Sequence, residues 1–236
     1  MMSSKLLFEH LVELKSTFIK AIIFFVLVTL LLLPFANDLY TIFANPLLDK
    51  FMVYSGSIIS TKLTSTFFVP FKITLFCALI ISFPFIFYQF WSFVSPGLYL
   101  SEKKFLAWTL CLAYALFLFA SVFVYFLVFP FVFEFFIKMT PADVNLMIDI
   151  SYYLEMVISL FFAFGLAFQV PLIVSNLVRF NWVKVESLKK YRPYFLLFAF
   201  IFGAIFTPPD VISQIMLAVP VYFLYEIGLF FAKNKN

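Results

Sequence analysis

Charge is the first thing this chain lacks. Of its 236 residues only 12% are Asp, Glu, Lys or Arg, and 65% are hydrophobic. A soluble domain has about 25% charged residues and about half apolar ones. A chain of this size cannot bury so large an apolar excess and still face water with enough polar surface. Histidine is almost missing: His10 stands alone, which excludes haem held by paired histidines and a His-rich zinc site. The two cysteines, Cys77 and Cys111, lie inside apolar runs without a CxxC or CxxCH spacing, and they read as small hydrophobes. No metal site and no cofactor are expected. Glycine is scarce, with five residues, and the two halves do not match in loop length, which speaks against an inverted-repeat transporter; close packing through GxxxG is absent too. The first twenty or so residues are polar and amphipathic, without a short apolar core and a small-residue cleavage site, so a cleavable signal peptide is not expected.

What fills the chain instead is long apolar runs rich in phenylalanine, which occurs 39 times. The reading is an all-α, polytopic membrane protein: a single transmembrane domain over residues 1–236 with six helices, at about 18–35, 67–93, 105–133, 152–178, 192–206 and 211–232, the last two short. The apolar part of the fifth, from Tyr194 to Phe206, reaches only about 20 Å at ~1.5 Å per residue, so the span takes in Arg192 and Pro193 or the bilayer thins around it. The sixth is long enough to cross, and Pro220 should bend it. Residues Asn37 to Thr66 and Lys138 to Ser151 read as external loops, and Thr207-Pro208-Pro209-Asp210 as a tight turn. Twelve of the 16 basic residues fall on one side: Lys5, Lys15, Lys20, Lys103, Lys104, Arg179, Lys184, Lys189, Lys190, Arg192, Lys233 and Lys235. That side is the cytoplasm by the positive-inside rule, so both termini are inside. The opposite side is mildly acidic, with Asp38, Asp49, Glu134, Asp143, Asp149 and Asp210.

Three polar sets could carry chemistry. In the amphipathic start, Leu7, Leu11, Leu14 and Phe18 share a helical stripe, while Glu9 and Glu13 sit one turn apart on another. A solvated interfacial helix accounts for that pattern; so does a carboxylate displayed to a cationic ligand. In the first internal loop Pro96-Gly97 makes a turn, Ser101 can cap the following helix, and Glu102 suits its first turn. Within the membrane, Gln169 precedes Pro171, and Asp210 and Gln214 are four residues apart on one face. Such groups face other helices or water, because lipid cannot satisfy them. Gln169 could locally satisfy the carbonyl that Pro171 leaves unpaired, or these groups could form a polar patch for a partner helix.

Several stretches occur together and in order: His10-Leu11-Val12-Glu13-Leu14-Lys15, Phe35-Ala36-Asn37-Asp38-Leu39-Tyr40, Pro46-Leu47, Phe67 to Lys72, Pro84 to Glu102 (PFIFYQFWSFVSPGLYLSE), Phe164 to Pro171, Lys190-Tyr191-Arg192-Pro193-Tyr194 and Thr207 to Val211. With these the chain resembles the TatC family, the core subunits of the twin-arginine protein translocase, over nearly its whole length. The resemblance implies a receptor for twin-arginine signal peptides in the cytoplasmic membrane of a bacterium. It implies export of folded proteins with the protonmotive force, single-span partners of the TatA and TatB type, and a homo-oligomer within the receptor complex. No enzyme activity, nucleotide or nucleic acid is implied, and the sequence has no GxxxxGK[ST] phosphate loop. Residue by residue, Glu13 and Glu102 match the carboxylates implicated in binding the signal, with Lys15 and Phe93 beside them. Gln169, Asp210 and Gln214 match positions of a polar cluster where a partner helix docks, and Pro46 a position in the first external loop. Two carboxylates suit two adjacent guanidinium groups, since Arg–carboxylate pairs are often bidentate.

Two departures stand out. The N-terminal motif usually ends in Arg where this chain has Lys15, which keeps the charge and loses the planar fork. The fourth span often carries a glutamate where this chain has Gln169, which can still hydrogen-bond but cannot carry charge. The competing reading is a small-solute transporter or channel, which needs a row of polar residues; only Gln89, Gln169, Asp210 and Gln214 are available, and they form no continuous line. A membrane protease would need a nucleophile and base within the spans, and the sole histidine is at the cytoplasmic edge.

Overall fold

Lipid offers no partner for backbone N–H and C=O groups, so a chain this apolar must satisfy them within helices. The computed structural model describes the backbone of residues 2–54, 57–94, 100–141, 147–207 and 211–233, and the side chains of 12–48, 57–93, 103–141, 147–207 and 211–232. Ten α-helices carry most of this: α1 (Met2–Leu32), α2 (Ala36–Tyr54), α3 (Ser65–Val94), α4 (Leu100–Phe123), α5 (Phe129–Met139), α6 (Ile150–Ala167), α7 (Val170–Arg179), α8 (Val185–Lys190), α9 (Arg192–Phe206) and α10 (Val211–Lys233). Among the described residues five segments are long and apolar enough to cross a membrane, and α9 adds a shorter apolar helix of 15 residues. The last two spans are the shortest of the six, 22 residues at Val211–Ala232 and 15 in α9.

Prolines and hydroxyls explain the local departures from a plain helix. Before Pro130 the chain opens into a π-turn over Val124–Val128, where the Phe129 N–H reaches back to the Val124 carbonyl; this wide turn makes room for the proline ring. Pro84 lies inside α3 and cannot pair with the carbonyl of Ile80, and the Tyr114 hydroxyl donates to that carbonyl at 3.4 Å. Thr29, Thr74, Ser121 and Thr207 return their hydroxyls to the carbonyl four residues back, so none is stranded in an apolar surrounding. Helix α7 ends in a Schellman turn, with the Trp182 N–H on Leu177 O, the Asn181 N–H on Val178 O, and Asn181 left-handed at φ 57°.

Two stretches differ from the sequence reading. Residues 37–66 are not a plain loop: 36–54 form α2, with Pro46 inside it and Ala44 and Leu47 fully buried. Pro46 reads as a helix breaker, and the buried apolar face of α2 outweighs it. The fourth span is two helices rather than one. It breaks at Phe168–Gln169, so Pro171 falls in the first turn of α7, where its missing N–H costs little.

The chain divides into two packed units, residues 1–43 with 62–114 and residues 44–61 with 115–236. In the first, α1 packs along α3, and Phe24 stacks on Phe85 with ring centroids 4.1 Å apart. In the second, α10 packs against α7 and α9, while Phe129, Phe133, Tyr153, Phe161 and Phe164 form an aromatic core. The ring pair Phe129–Phe161 is edge-to-face at 5.4 Å, as ring quadrupoles favour. Single glycines set the close approaches. A Cβ at Gly228 would sit 2.9 Å from the Pro171 Cα, and one at Gly165 would sit 2.5 Å from the Phe117 ring. Within this unit, Ser57–Ile59 (β1) pairs in parallel with Met147–Asp149 (β2), joining two segments that read as loops in the sequence.

Candidate functional site

The first unit places the expected signal-binding residues. Glu13 and Lys15 are exposed on α1 and belong to the same rigid helix as the first span. Consecutive spans run in opposite directions, so the Phe24–Phe85 stack fixes a register between α1 and α3. Glu13 lies about three helical turns from Phe24, and Phe93 just over two turns from Phe85, toward the same end. The end of α3 and the N-terminal part of α1 therefore come level. Phe93 is half-buried in the last turn of α3. The loop 95–99 and the Glu102 side chain lie outside the described residues; the backbone of Glu102 is in the first turn of α4. Between α3 and α4 a groove of about 260 Å³ is lined by Pro84, Phe87, Tyr88, Trp91, Cys111 and Tyr114, among others. This end of the unit can thus offer the Glu13 carboxylate near an aromatic surface, a pairing suited to a cationic and apolar segment.

Two of the three residues expected in a polar cluster, Gln169 and Gln214, are described in the second unit. Gln214 donates from Nε2 to the Phe200 carbonyl at 2.7 Å, tying α10 to α9. The approach is close there, since a Cβ on Gly203 would sit 3.1 Å from the Gln214 backbone oxygen. Gln169 lies at the break between α6 and α7, two residues before Pro171, which rests on Gly228. Gly228 is about four turns, or ~20 Å, along α10 from Gln214. Gln169 and Gln214 are therefore at different depths. Asp210 and most of the turn that carries it lie outside the described residues.

Two polar arrangements escaped the sequence reading. Asp149 is buried at the end of β2 and closes three contacts: Oδ2 accepts from the Thr61 N–H at 2.9 Å and from the Thr61 hydroxyl, and Oδ1 accepts from the Ser151 N–H at 2.7 Å, capping α6. The Thr61 hydroxyl and N–H, then the Ser151 N–H, hold its carboxyl down to about 2. At the other end of the unit, Arg192 Nη2 meets Glu226 Oε2 at 2.6 Å, and Glu226 Oε1 accepts from the Tyr222 hydroxyl at 3.1 Å. The only sequence signal for either was an isolated charge at a span end. Among the described residues, no three of His, Cys, Asp and Glu lie together as a metal site.

Known proteins share this frame. The model of the family described as Sec-independent protein translocase protein (TatC) matches residues 9–220. The chain belongs to the TatC family. A TatC of Halothiobacillus neapolitanus is 43% identical over 95% of this chain, which spans 61% of that relative's length. The TatC of Escherichia coli K12 is 40% identical over 96% of this chain and 88% of its own. A crystal structure of the twin-arginine translocase receptor TatC superposes with a TM-score of 0.79 at 33% identity, covering 95% of this chain and 98% of that one. The chain is thus a multi-pass membrane component of a TatC-type translocase, with a role in transport.

Proposed function

We propose that this chain is the twin-arginine signal-peptide receptor and core subunit of a Tat translocase, in the cytoplasmic membrane of a bacterium, with both termini inside. Glu13 and Glu102 accept the two guanidinium groups of the signal, Lys15 keeps the positive charge of the N-terminal motif, and Phe93 lines the approach. The observation that carries this reading is the α1–α3 register set by Phe24 and Phe85, which supports Glu13 acting beside the α3–α4 turn that precedes Glu102. The aromatic groove between α3 and α4 would receive apolar residues of the same peptide. Single-span TatA- and TatB-type subunits dock along the helices that carry Gln169, Asp210 and Gln214. Several copies assemble into the receptor complex, and the protonmotive force drives export of folded cargo. Gln214 spends one amide N–H on Phe200, which fixes its side chain on the α9–α10 pair and supports a docking role for that pair as a shaped surface.

Changing Glu13 and Glu102 to alanine, singly and together, tests the reading. Each single variant should lose most site-specific crosslinking to a twin-arginine precursor, by about tenfold or more for a lost charge-assisted pair, while inserting normally into the membrane. Undiminished crosslinking in the double variant overturns the assignment.

A further inference from the structure

The second unit has a groove that the translocase reading does not use. It holds about 720 Å³ and is lined by Lys189, Arg192, Phe223, Glu226, Ile227, Leu229, Phe230 and Phe231. Its charged rim comes from α8 and the start of α9, and its wall from the C-terminal half of α10. Phe223, Ile227, Phe230 and Phe231 follow helical spacing on one stripe of α10, and all four are exposed. The rim therefore lies where a span begins, and the stripe flanks it on the C-terminal half of α10.

The charges at the rim do not cancel. Glu226 neutralises Arg192 through Nη2, but Arg192 Nε is buried with no hydrogen-bond partner among the described residues. A buried guanidinium donor left unpaired is unfavourable, and it calls for an acceptor. Lys189 is exposed, and among the described residues it pairs with no carboxylate. Lys190 follows Lys189 in the last turn of α8, whose first turn carries Glu186. The partly exposed Arg192 side chain and the Lys189 ammonium thus stand next to an open apolar stripe.

We propose that this groove binds an anionic phospholipid, with the phosphodiester held between Lys189 and Arg192 and an acyl chain laid along Phe223, Ile227, Phe230 and Phe231. The shared chemistry is a phosphate oxyanion, which the guanidinium and ammonium groups both match. The apolar stripe selects the lipid over free phosphate, since only a ligand with a hydrocarbon chain gains from it. The position at a span end is where basic pockets meet lipid headgroups. The net positive rim selects an anionic lipid over a zwitterionic one.

Native mass spectrometry of the full chain, delipidated in detergent and titrated with dioleoyl phosphatidylglycerol, tests this. The wild type should retain phosphatidylglycerol more strongly than dioleoyl phosphatidylcholine. Lys189→Gln should weaken phosphatidylglycerol retention about fivefold, the effect of one basic residue at a headgroup, and leave phosphatidylcholine retention unchanged. Phe230→Ala should weaken retention of the same lipid without touching the charges, and it keeps the proposal testable if changes at Arg192 disturb folding. Equal retention of the two lipids, or no loss in Lys189→Gln, overturns the proposal. So does displacement of the lipid by glycerol phosphate at matched concentration, which would mark a free-phosphate site. Protection of Lys189 from amine labelling by a single-span partner subunit rather than by lipid would mark a protein contact and equally overturn it.

Discussion

Two carboxylates in the same unit are treated in opposite ways. Asp149 meets only neutral donors, both of its oxygens are occupied, and it is buried. It ties β2 to the residue just past β1 and caps α6, so it closes a structure. Glu226 meets a cation and a tyrosine hydroxyl, its side chain keeps 30% exposure, and its partner Arg192 retains 42% exposure and a spare buried donor. The first arrangement is complete in itself. The second leaves one donor over and faces a groove. The contrast separates a carboxylate that builds the fold from one that neutralises part of a basic rim. It does so through the donors around each group, since both are single acids at span ends in the sequence.

The largest effect should come from opening the closed arrangement. Asp149→Ala removes the acceptor for both Thr61 donors and for the Ser151 N–H at once. Exchange of the amides in Ser57–Ile59 and Met147–Asp149 should accelerate on the order of a hundredfold, read by hydrogen–deuterium exchange, as expected when a cap and two further hydrogen bonds go together. The α10 amides around Glu226 should stay protected as in the wild type. Equal acceleration in both places would show that the two carboxylates are not independent.

A smaller effect follows from protonation. The carboxyl of Asp149 is held at about 2, against 3.8 for an unperturbed aspartate, because the Thr61 and Ser151 donors favour its charged form. A depressed folded-state value means that the stability from Asp149 is fully present above pH ~4. It is lost as the pH falls from there toward ~2. The thermal midpoint in detergent should therefore drop more steeply between those values in the wild type than in Asp149→Asn. Parallel curves for the two proteins would mean that the ionised form is not what the clasp recognises.

Much of the frame is legible from sequence, because apolar length and basic asymmetry are properties of whole segments. The spans and the short α9 belong to that class. Partners are another matter. Gln214 is visible as a polar residue in a span, but its bond to the Phe200 carbonyl depends on the close approach at Gly203. The separation of Gln169 from Gln214 follows from where Pro171 lands on Gly228, which no local pattern encodes. The β1–β2 pair joins three-residue strands from distant loops, too short to leave a period-2 signal. Pro46 misleads because a single residue is read as a breaker, while the burial of Ala44 and Leu47 that overrides it is tertiary. The signal-binding carboxylates become readable only through a resemblance, since Glu13 looks like an ordinary polar-face glutamate.

The smallest expected effect sharpens the contrast from the open side. Arg192→Lys keeps a cation within reach of Glu226 and removes a fork whose Nε has no partner among the described residues. Both side chains are partly exposed, and ion pairs of that kind contribute about 1 kcal/mol or less. Stability in detergent should change by less than about 0.5 kcal/mol, measured by denaturant or thermal unfolding. The same conservative step at the closed site, Asp149→Glu, adds a methylene to a carboxylate fixed by three donors on two segments. It has no slack to absorb the extra length, so it should lower the unfolding midpoint clearly. If the two substitutions cost the same, the distinction between a completed contact and an open one fails, because geometry would then matter no more at Asp149 than at Arg192.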